Sequence, residues 1–282
     1  MNTNRSEKSR LVVWVMDLNP DQAIAAGVVR AGSFMARALN WLLVWSFGRA
    51  SRIVVLDRFM QARLEAKGVD AAKLDVIAPW PLDDAVKYDA EGRERFREAH
   101  GLTGKFVVMY SGNHSPCHPL TSVLDAAARL VGETDIVFCF VGGGREFAAV
   151  SERGLPNVVA LPYVPLASLS GSLSAADLHV VVMGDEFVGI VHPCKVYNVM
   201  ELGVPFLYVG PGESHVAEVF EPRMNTNEHE WYSVRHGDVD GVVAAVLDAR
   251  GRGVGRRVEF GGGFSRAALM GEMVGVIESM VD

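Results

Sequence analysis

The sequence has few cysteines, no long hydrophobic run and fewer basic than acidic residues. Three cysteines occur in 282 residues and their spacing fits no metal site, which is typical of a reducing compartment. No uncharged apolar run reaches the roughly 18 residues of a membrane-spanning helix, and the polar start, MNTNRSEKSR, lacks the apolar core of a signal peptide. The formal net charge of -7 argues against a nucleic-acid partner. We therefore expect a cytoplasmic protein, either soluble or peripheral on the inner face of the membrane.

Apolar segments alternate with helical segments from the start of the chain. Hydrophobic residues make up 49% and charged residues 22%, and the length suits two α/β units. Buried strands are predicted at Leu11–Met16, Ile53–Leu56 and Lys73–Ala78, with a turn at Asp17–Asp21. Because strands that alternate with helices form parallel sheets, the predicted fold class is α/β.

An acidic segment with two prolines, Ala78–Gly92, divides the chain and is typical of an interdomain linker. A second α/β series then begins with a helix at Arg93–His100. Its strands are predicted at Phe106–Tyr110, Ile136–Val141, Val158–Leu161, Leu178–Val182 and Val204–Val209. The predicted domains are residues 1–79, a linker at 80–92, and residues 93–282, with the last helix packing back on the first domain as one option.

One predicted helix is apolar on most sides. It begins after Ser33, a good N-cap, and runs to about Phe47. Its uncharged part includes Trp41 and Trp45, and arginines flank it. The helix is either buried within or between domains, which we favour, or anchored on an anionic membrane surface.

The segment Phe187–Gly210 reads as a loop, a helix that opens on Pro193, and a buried strand after Gly203. A loop that leads into a helix N-terminus directs several backbone N–H groups one way, and such an end binds phosphate. Lys195 lies in the first turn, where the helix dipole disfavours a cation. Its side chain either shares the site with a bound anion or points into solvent.

Four ordered stretches resemble the donor-binding domain of family 4 glycosyltransferases with the GT-B fold. They are VVMYSGNHSPCHPLTSVLDAA, DIVFCFVGGGREF, NVVALPYVPLASLSGSLSAADLHVVVM and GIVHPCKVYNVMELGVPFLYVG, and they span roughly residues 85–282. The resemblance is strongest to the bacterial branch that builds lipopolysaccharide or exopolysaccharide. It implies two Rossmann-like parallel-sheet domains that face a cleft.

The resemblance implies transfer of a sugar from a UDP- or GDP-linked donor to a hydroxyl, with retention and without a metal or other cofactor. The acceptor would be a hydroxyl compound, a lipid-linked saccharide being one candidate. Two further classes stay open: a donor-binding remnant or subunit without independent catalysis, and a relative of sugar-nucleotide epimerases or phosphorylases. FVGGGREF lacks the glycine spacing of a dinucleotide enzyme.

The family motifs place a diphosphate near a glycine turn, here Ser111–Asn113. Many members follow it with an Arg and a Lys, whose positions hold Asn113 and His118 in this chain. His114 and His118 would donate hydrogen bonds or carry charge, or else lie on the loop surface, which we favour for His114. The resemblance implies catalytic roles for Lys195 and His118.

Other positions are implied to bind the donor. Tyr163 falls where the family holds the base, unless its ring belongs to the core. Of the family's paired glutamates, the first position holds Ile190 and the second, at the ribose, holds Asn198. The implied donor-binding residues are Gly112, Asn113, His114, Gly142, Gly143, Gly144, Tyr163, Glu186, Val191, His192, Cys194 and Asn198.

The first half resembles only the second part of the family's acceptor domain. Leu11–Pro79 matches a strand, an Asp-Xaa-Xaa-Pro turn, a long helix and a strand–helix–strand, but the family's opening strands have no counterpart. Met16 occupies the position of a family histidine. We expect either a truncated reading frame or a partner chain that completes the first domain, because an incomplete sheet exposes an edge.

Overall fold

The computed structural model describes residues 10–80, 86–220, 231–257 and 266–280. The chain divides into two compact units. Unit 1 consists of Met1–Pro79, Gly189–His192 and Phe264–Asp282, and unit 2 of Trp80–Val188 and Pro193–Gly263.

Unit 1 is built on a three-stranded parallel sheet in the order β1-β2-β3. The strands are β1 (Val12–Trp14), β2 (Arg52–Val55) and β3 (Leu74–Val76). The central strand is the most buried, because Ile53, Val54 and Val55 have no exposed surface. The helices of this unit are α1 (Asn19–Ala25), α2 (Phe34–Gly48), α3 (Arg58–Ala66) and α11 (Arg266–Glu278).

At the starts of two of its helices, one sequence-based prediction is wrong and the other is confirmed. The predicted turn at Asp17–Asp21 is wrong, because α1 already begins at Asn19, with Pro20 in its first turn, where proline is tolerated. The predicted cap of α2 is confirmed: the Ser33 side chain accepts a hydrogen bond from the Ala36 N–H at 3.1 Å.

The favoured interpretation of α2 as a buried helix is wrong. The structure describes all of α2, and only Ala36 and Phe47 are buried in it. The Phe34 side chain is 81% exposed and that of Trp41 is 63% exposed. Among the residues that the structure describes, no helix is long and apolar enough to cross a bilayer.

Unit 2 is a six-stranded parallel sheet in the order β6-β5-β4-β7-β8-β9. Its strands are β4 (Phe106–Asn113), β5 (Ile136–Gly143), β6 (Val158–Leu161), β7 (Leu178–Val182), β8 (Phe206–Val209) and β9 (Trp231–Val234). Its helices are α4 (Ala90–Ala99), α5 (Thr121–Arg129), α6 (Phe147–Glu152), α7 (Leu169–Ser174), α8 (Lys195–Leu202), α9 (His215–Phe220) and α10 (Val239–Gly251). The strand order reverses between β4 and β7, as in doubly wound folds.

Both faces of the unit 2 sheet are covered, which explains its continuous apolar strands. Phe106, Val108 and Tyr110 of β4 belong to one hydrophobic cluster, which includes α5 and α10 residues. Val107 and Met109 point to the other cluster, which includes residues of α7 and α8. The side chains of successive β4 residues therefore pack into hydrophobic clusters on opposite faces of the sheet.

Several boundaries in unit 2 differ from the predicted ones, and β8 begins at Phe206, two residues later than predicted. β4 and β5 continue past Tyr110 and Val141, so that Gly112 is paired with Gly142 in the sheet. α4 begins at Ala90, inside the segment predicted as linker, because the Asp89 side chain caps it by accepting from the Gly92 N–H at 2.8 Å.

A buried ion-pair network fixes α4 against the amino end of the sheet. The carboxylate of Asp177 pairs with the guanidinium groups of Arg93 and Arg97, all three being buried. It also accepts hydrogen bonds from the Val107 N–H at 2.8 Å and the Gly255 N–H at 2.9 Å. This carboxylate thus has the partners that a buried charge requires.

Candidate functional site

The reversal of strand order in unit 2 places the candidate site at the carboxyl ends of β4 and β7. In open parallel sheets, ligands bind in the crevice beside this reversal. β4 ends at Asn113 and β7 at Val182, and α8 begins at Lys195. The loop after β4 is tied to the loop after β7, since the Gly184 N–H donates to the Cys117 carbonyl at 2.9 Å.

The amine of Lys195 is the central group of this site. Its Nζ lies 3.7 Å from the centroid of the Tyr110 ring, a cation–π contact. The Nζ atom is buried and has no hydrogen-bond partner within the described part of the chain. The interpretation in which Lys195 points into solvent is therefore wrong. Burial lowers the pKa of Lys195 to about 7, because desolvation disfavours the charged form.

Two paired glycines bring backbone close to this amine. Gly112 has φ +137° and Gly142 has φ +138°, a region that residues with side chains rarely adopt. A Cβ on Gly112 would lie 3.3 Å from the Lys195 Nζ, and a Cβ on Gly142 would lie 2.0 Å from the Gly112 carbonyl oxygen. A side chain on Gly112 would therefore approach the amine, and one on Gly142 would collide with the backbone of β4.

His114 is fully buried, so the loop-surface interpretation of this residue is wrong. Its Nδ1 lies 3.0 Å from the Gly112 carbonyl, and its ring contacts the rings of Tyr110 and Phe147, both with centroids 4.9 Å away. Desolvation and, secondly, the charge of Lys195 lower the pKa of His114 to about 4. The ring is therefore neutral at pH 7.

His118 is held by the end of β7. Its Nδ1 lies 2.7 Å from the Val182 carbonyl, and since a carbonyl only accepts, Nδ1 carries the proton. Desolvation and then the charge of Lys195 lower the pKa of His118 to about 3. Of these three basic groups, Lys195 has the highest pKa, and its amine is partly protonated at pH 7. The catalytic role of His118 stays a prediction.

The turn after β5 carries the other glycines and an exposed ring. The Tyr163 hydroxyl donates to the Gly143 carbonyl at 3.2 Å, and the side chain is 61% exposed, so its interpretation as a core aromatic is wrong. A Cβ on Gly143 would lie 3.0 Å from the Tyr163 ring, and one on Gly144 would lie 2.4 Å from Asn113 Oδ1. Tyr163, Gly143, Gly144 and Asn113 therefore lie together at this edge.

The remaining predicted site residues are distributed over both units. Glu186 is exposed on a short 3-10 turn, and Cys194 and Asn198 are half-buried before and on α8. Val191 and His192 belong to unit 1. There the His192 Nδ1 lies 3.1 Å from Asp57 Oδ2. The roles of these residues stay predictions.

Two residues that sequence reasoning missed are Tyr110 and Asp57. Tyr110 reads as a core strand residue, and only the spatial meeting of β4 with α8 gives its ring a contact with Lys195. Asp57 lies two positions after the end of β2 and caps α3, accepting from the Met60 N–H at 2.8 Å. A carboxylate at the end of a buried strand was a usable signal, but its pairing with His192 spans 135 positions.

No family model matches the chain. Two curated relatives are similar to it. It is 27% identical over 214 residues to "Probable glycosyltransferase WbjE" of Pseudomonas aeruginosa, over 74% of this chain and 53% of that protein. It is 26% identical over 206 residues to "Putative colanic acid biosynthesis glycosyl transferase WcaI" of Escherichia coli (strain K12), over 69% and 50%. The chain spans about half the length of these curated relatives.

Solved structures agree on the architecture. Anabaena Alr3699/HepE in complex with UDP-glucose superposes with a TM-score of 0.71 at 15% sequence identity, over 96% of this chain and 72% of that chain. The chain has the fold of the GT-B glycosyltransferases. The predicted α/β class with parallel-sheet units is thereby confirmed, and the resemblance to glycosyltransferases is confirmed by the relatives, whereas membership of family 4 stays a prediction.

Proposed function

We propose that the chain is a glycosyltransferase that binds a nucleoside diphosphate sugar and transfers the sugar to a hydroxyl acceptor. The observation that carries this proposal is the buried amine of Lys195, without a hydrogen-bond partner in the described residues, at the strand reversal of unit 2. An unpaired buried amine is costly, and a bound anion would supply the missing partner. Relatives named for glycosyl transfer and colanic acid biosynthesis support a role in cell-surface polysaccharide or lipopolysaccharide synthesis.

In the proposed reaction the diphosphate occupies the crevice beside Gly112. Protonated Lys195 neutralises one of its oxygens, and the N-terminus of α8 adds the positive end of the helix dipole. The bond from the sugar to the diphosphate breaks with its electron pair going to the diphosphate, so negative charge grows there, while the acceptor oxygen bonds to the sugar and its proton passes to a departing phosphate oxygen. Lys195 stabilises that charge most in the transition state, which is how it accelerates transfer. Retention at the anomeric carbon is part of the proposal and rests on the family resemblance.

The donor's other groups are assigned to the surrounding residues. The base, uracil or guanine, lies near Tyr163 and Gly142–Gly144. Asn198 donates to a ribose hydroxyl, and Glu186 faces the sugar. HepE has been solved with UDP-glucose, which supports a UDP-linked donor as the first to test. A lipid-linked saccharide is the first acceptor to test, and the reaction is proposed to need no metal.

The central test is the affinity for UDP and GDP measured by calorimetry. Lys195→Ala should weaken binding of the nucleoside diphosphate by about 1–3 kcal/mol, as for a lost charged hydrogen bond. Lys105→Ala is the matched control, because Lys105 precedes β4 at the opposite end of the sheet and donates to the Thr134 carbonyl at 2.8 Å. Equal affinities for the wild type and Lys195→Ala would refute the role of this lysine.

Turnover assays separate the proposal from its alternative. Release of UDP or GDP from a panel of nucleotide sugars, with and without acceptors, would establish transfer or hydrolysis. Nucleotide binding without turnover would favour a donor-binding chain that needs a partner for catalysis. That alternative is motivated by the chain's spanning about half the length of its curated relatives.

A further inference from the structure

The outward face of α2 is apolar and aromatic, and we refer to it as the α2 face. It is formed by Phe34, Met35, Trp41, Leu42 and Trp45, whose side chains are 81%, 57%, 63%, 48% and 49% exposed. Contiguous apolar exposure of this kind marks an interaction surface, whereas isolated exposed hydrophobic residues do not.

The opposite side of α2 is firmly attached within unit 1. Ala36 and Phe47 are buried, and the Asn40 side chain accepts a hydrogen bond from the Lys67 ammonium. Lys67 also pairs with Asp21 at 3.0 Å. Because one side of the helix already has its partners, the α2 face is a second apolar surface, which the core of unit 1 does not use.

The exposed residues follow helical spacing. Phe34, Trp41 and Trp45 are separated by seven and four positions, so they align on one side of the helix. The two tryptophan rings stack with centroids 6.2 Å apart. Tryptophan is the residue that most favours the boundary between water and lipid.

The segment that contains α2 carries charge of a single sign. Residues 22–56 contain four arginines and no aspartate or glutamate, although the whole chain has a formal net charge of -7. Arg52 is paired with Asp75, but Arg30, Arg37 and Arg49 are exposed. The Arg49 guanidinium lies over the Trp45 ring, 4.1 Å from its centroid. The α2 face therefore has arginine side chains beside its aromatic side chains.

We propose that the α2 face docks this chain onto an anionic phospholipid surface, with α2 lying in the plane of the interface. The tryptophans and Phe34 enter the headgroup region, and Arg37 and Arg49 contact lipid phosphates. The 15-residue helix is about 22 Å long, which suits a helix lying along the surface. The arginine excess selects an anionic membrane over a neutral one. This inference does not depend on the proposed catalytic function, because docking is measured without nucleotide.

The test is sedimentation of the full chain with vesicles of phosphatidylcholine alone or mixed with phosphatidylglycerol. We expect binding to the mixed vesicles, weakened by salt, with a blue shift of tryptophan fluorescence. Trp41→Ser/Trp45→Ser should lower partitioning at least tenfold. Arg37→Gln/Arg49→Gln should lower it on the order of fivefold for each arginine and reduce the salt dependence.

Two controls keep the result interpretable. Leu166→Ser removes a hydrophobic side chain of unit 2 that is 66% exposed and should leave vesicle binding unchanged. Circular dichroism melts verify that the α2 variants remain folded. Equal sedimentation with and without phosphatidylglycerol, or none, would overturn the proposal. The proposal would also be overturned if the wild-type chain did not bind vesicles but self-associated in light scattering, and if the tryptophan variant abolished that self-association.

Discussion

A bound ligand can change the protonation state of the Lys195 amine. Its pKa is lowered to about 7 by burial, so a large part of the population is neutral just above neutral pH in the unliganded chain. A diphosphate beside the amine would raise that pKa, because the negative charge stabilises the protonated form. Binding above pH 7 is then accompanied by uptake of a proton.

This linkage predicts that nucleoside diphosphate affinity falls as pH rises from 7 to 9, since a growing fraction of the amine must be protonated on binding. Calorimetry at pH 8 in two buffers of different ionisation enthalpy should show proton uptake as a difference in apparent heat. Lys195→Arg is the control, because its guanidinium stays charged over this range. Wild-type binding heats that do not depend on the buffer would contradict the linkage.

The sequence predicts a site residue where a motif identifies it. It does not predict a site residue whose role depends on packing. Lys195 stands out in the sequence because a cation in the first turn of a helix opposes its dipole. Its burial, and the lowered pKa values of His114 and His118, depend on Tyr110 and on the ends of β4 and β7. Those neighbours come from segments that are distant along the chain, so the charge states were not accessible from sequence.

At the scale of elements, helices α4 and α7 meet through two glycines. A Cβ on Gly171 would lie 2.8 Å from the Gly92 Cα, which is backbone and cannot rotate away. We predict that Gly171→Ala lowers the free energy of unfolding by about 1–3 kcal/mol, the usual cost of overpacking a tight contact. Denaturant unfolding followed by circular dichroism measures this change.

The matched control for that substitution is Gly132→Ala. A Cβ on Gly132 would have no atom within 4 Å, so the same change should cost little. Both variants should keep the nucleotide affinity of the wild type, because Gly171 lies in α7, away from the carboxyl ends of β4 and β5. Equal unfolding midpoints for the two variants would show that α4 and α7 can separate without penalty.

Most strands and long helices were predictable from apolar runs and end signals, because four of the six strands of unit 2, namely β4, β5, β7 and β8, are rich in buried apolar residues. The errors fell where a local signal competed with tertiary pairing. Gly112 and Gly142 read as turns, yet β4 and β5 pair through both of them. Asp17–Asp21 was predicted as a turn because of Pro20, which instead lies in the first turn of α1. Exposure of α2 was mispredicted because an apolar helix is usually buried.

At the scale of the molecule, the sheet of unit 1 has an open side. In the described residues β1 pairs with β2 alone, and Leu11 and Met16 beside it are 48% and 38% exposed. An unprotected edge with apolar flanks favours pairing with another polypeptide. The match covers only about half the length of the curated relatives, which is why a partner chain is expected.

We therefore predict that the purified chain self-associates at micromolar concentration, through the free side of β1. Leu11→Lys/Met16→Lys should raise the monomer fraction in size-exclusion chromatography with light scattering, since charged edges resist pairing. Val76→Lys, on β3 at the other edge of the same sheet and 43% exposed, is the matched control and should change association less. If the wild-type chain elutes as a compact monomer at every concentration, the open side of β1 needs no partner. That result would also contradict the expectation of a partner chain that completes the first domain.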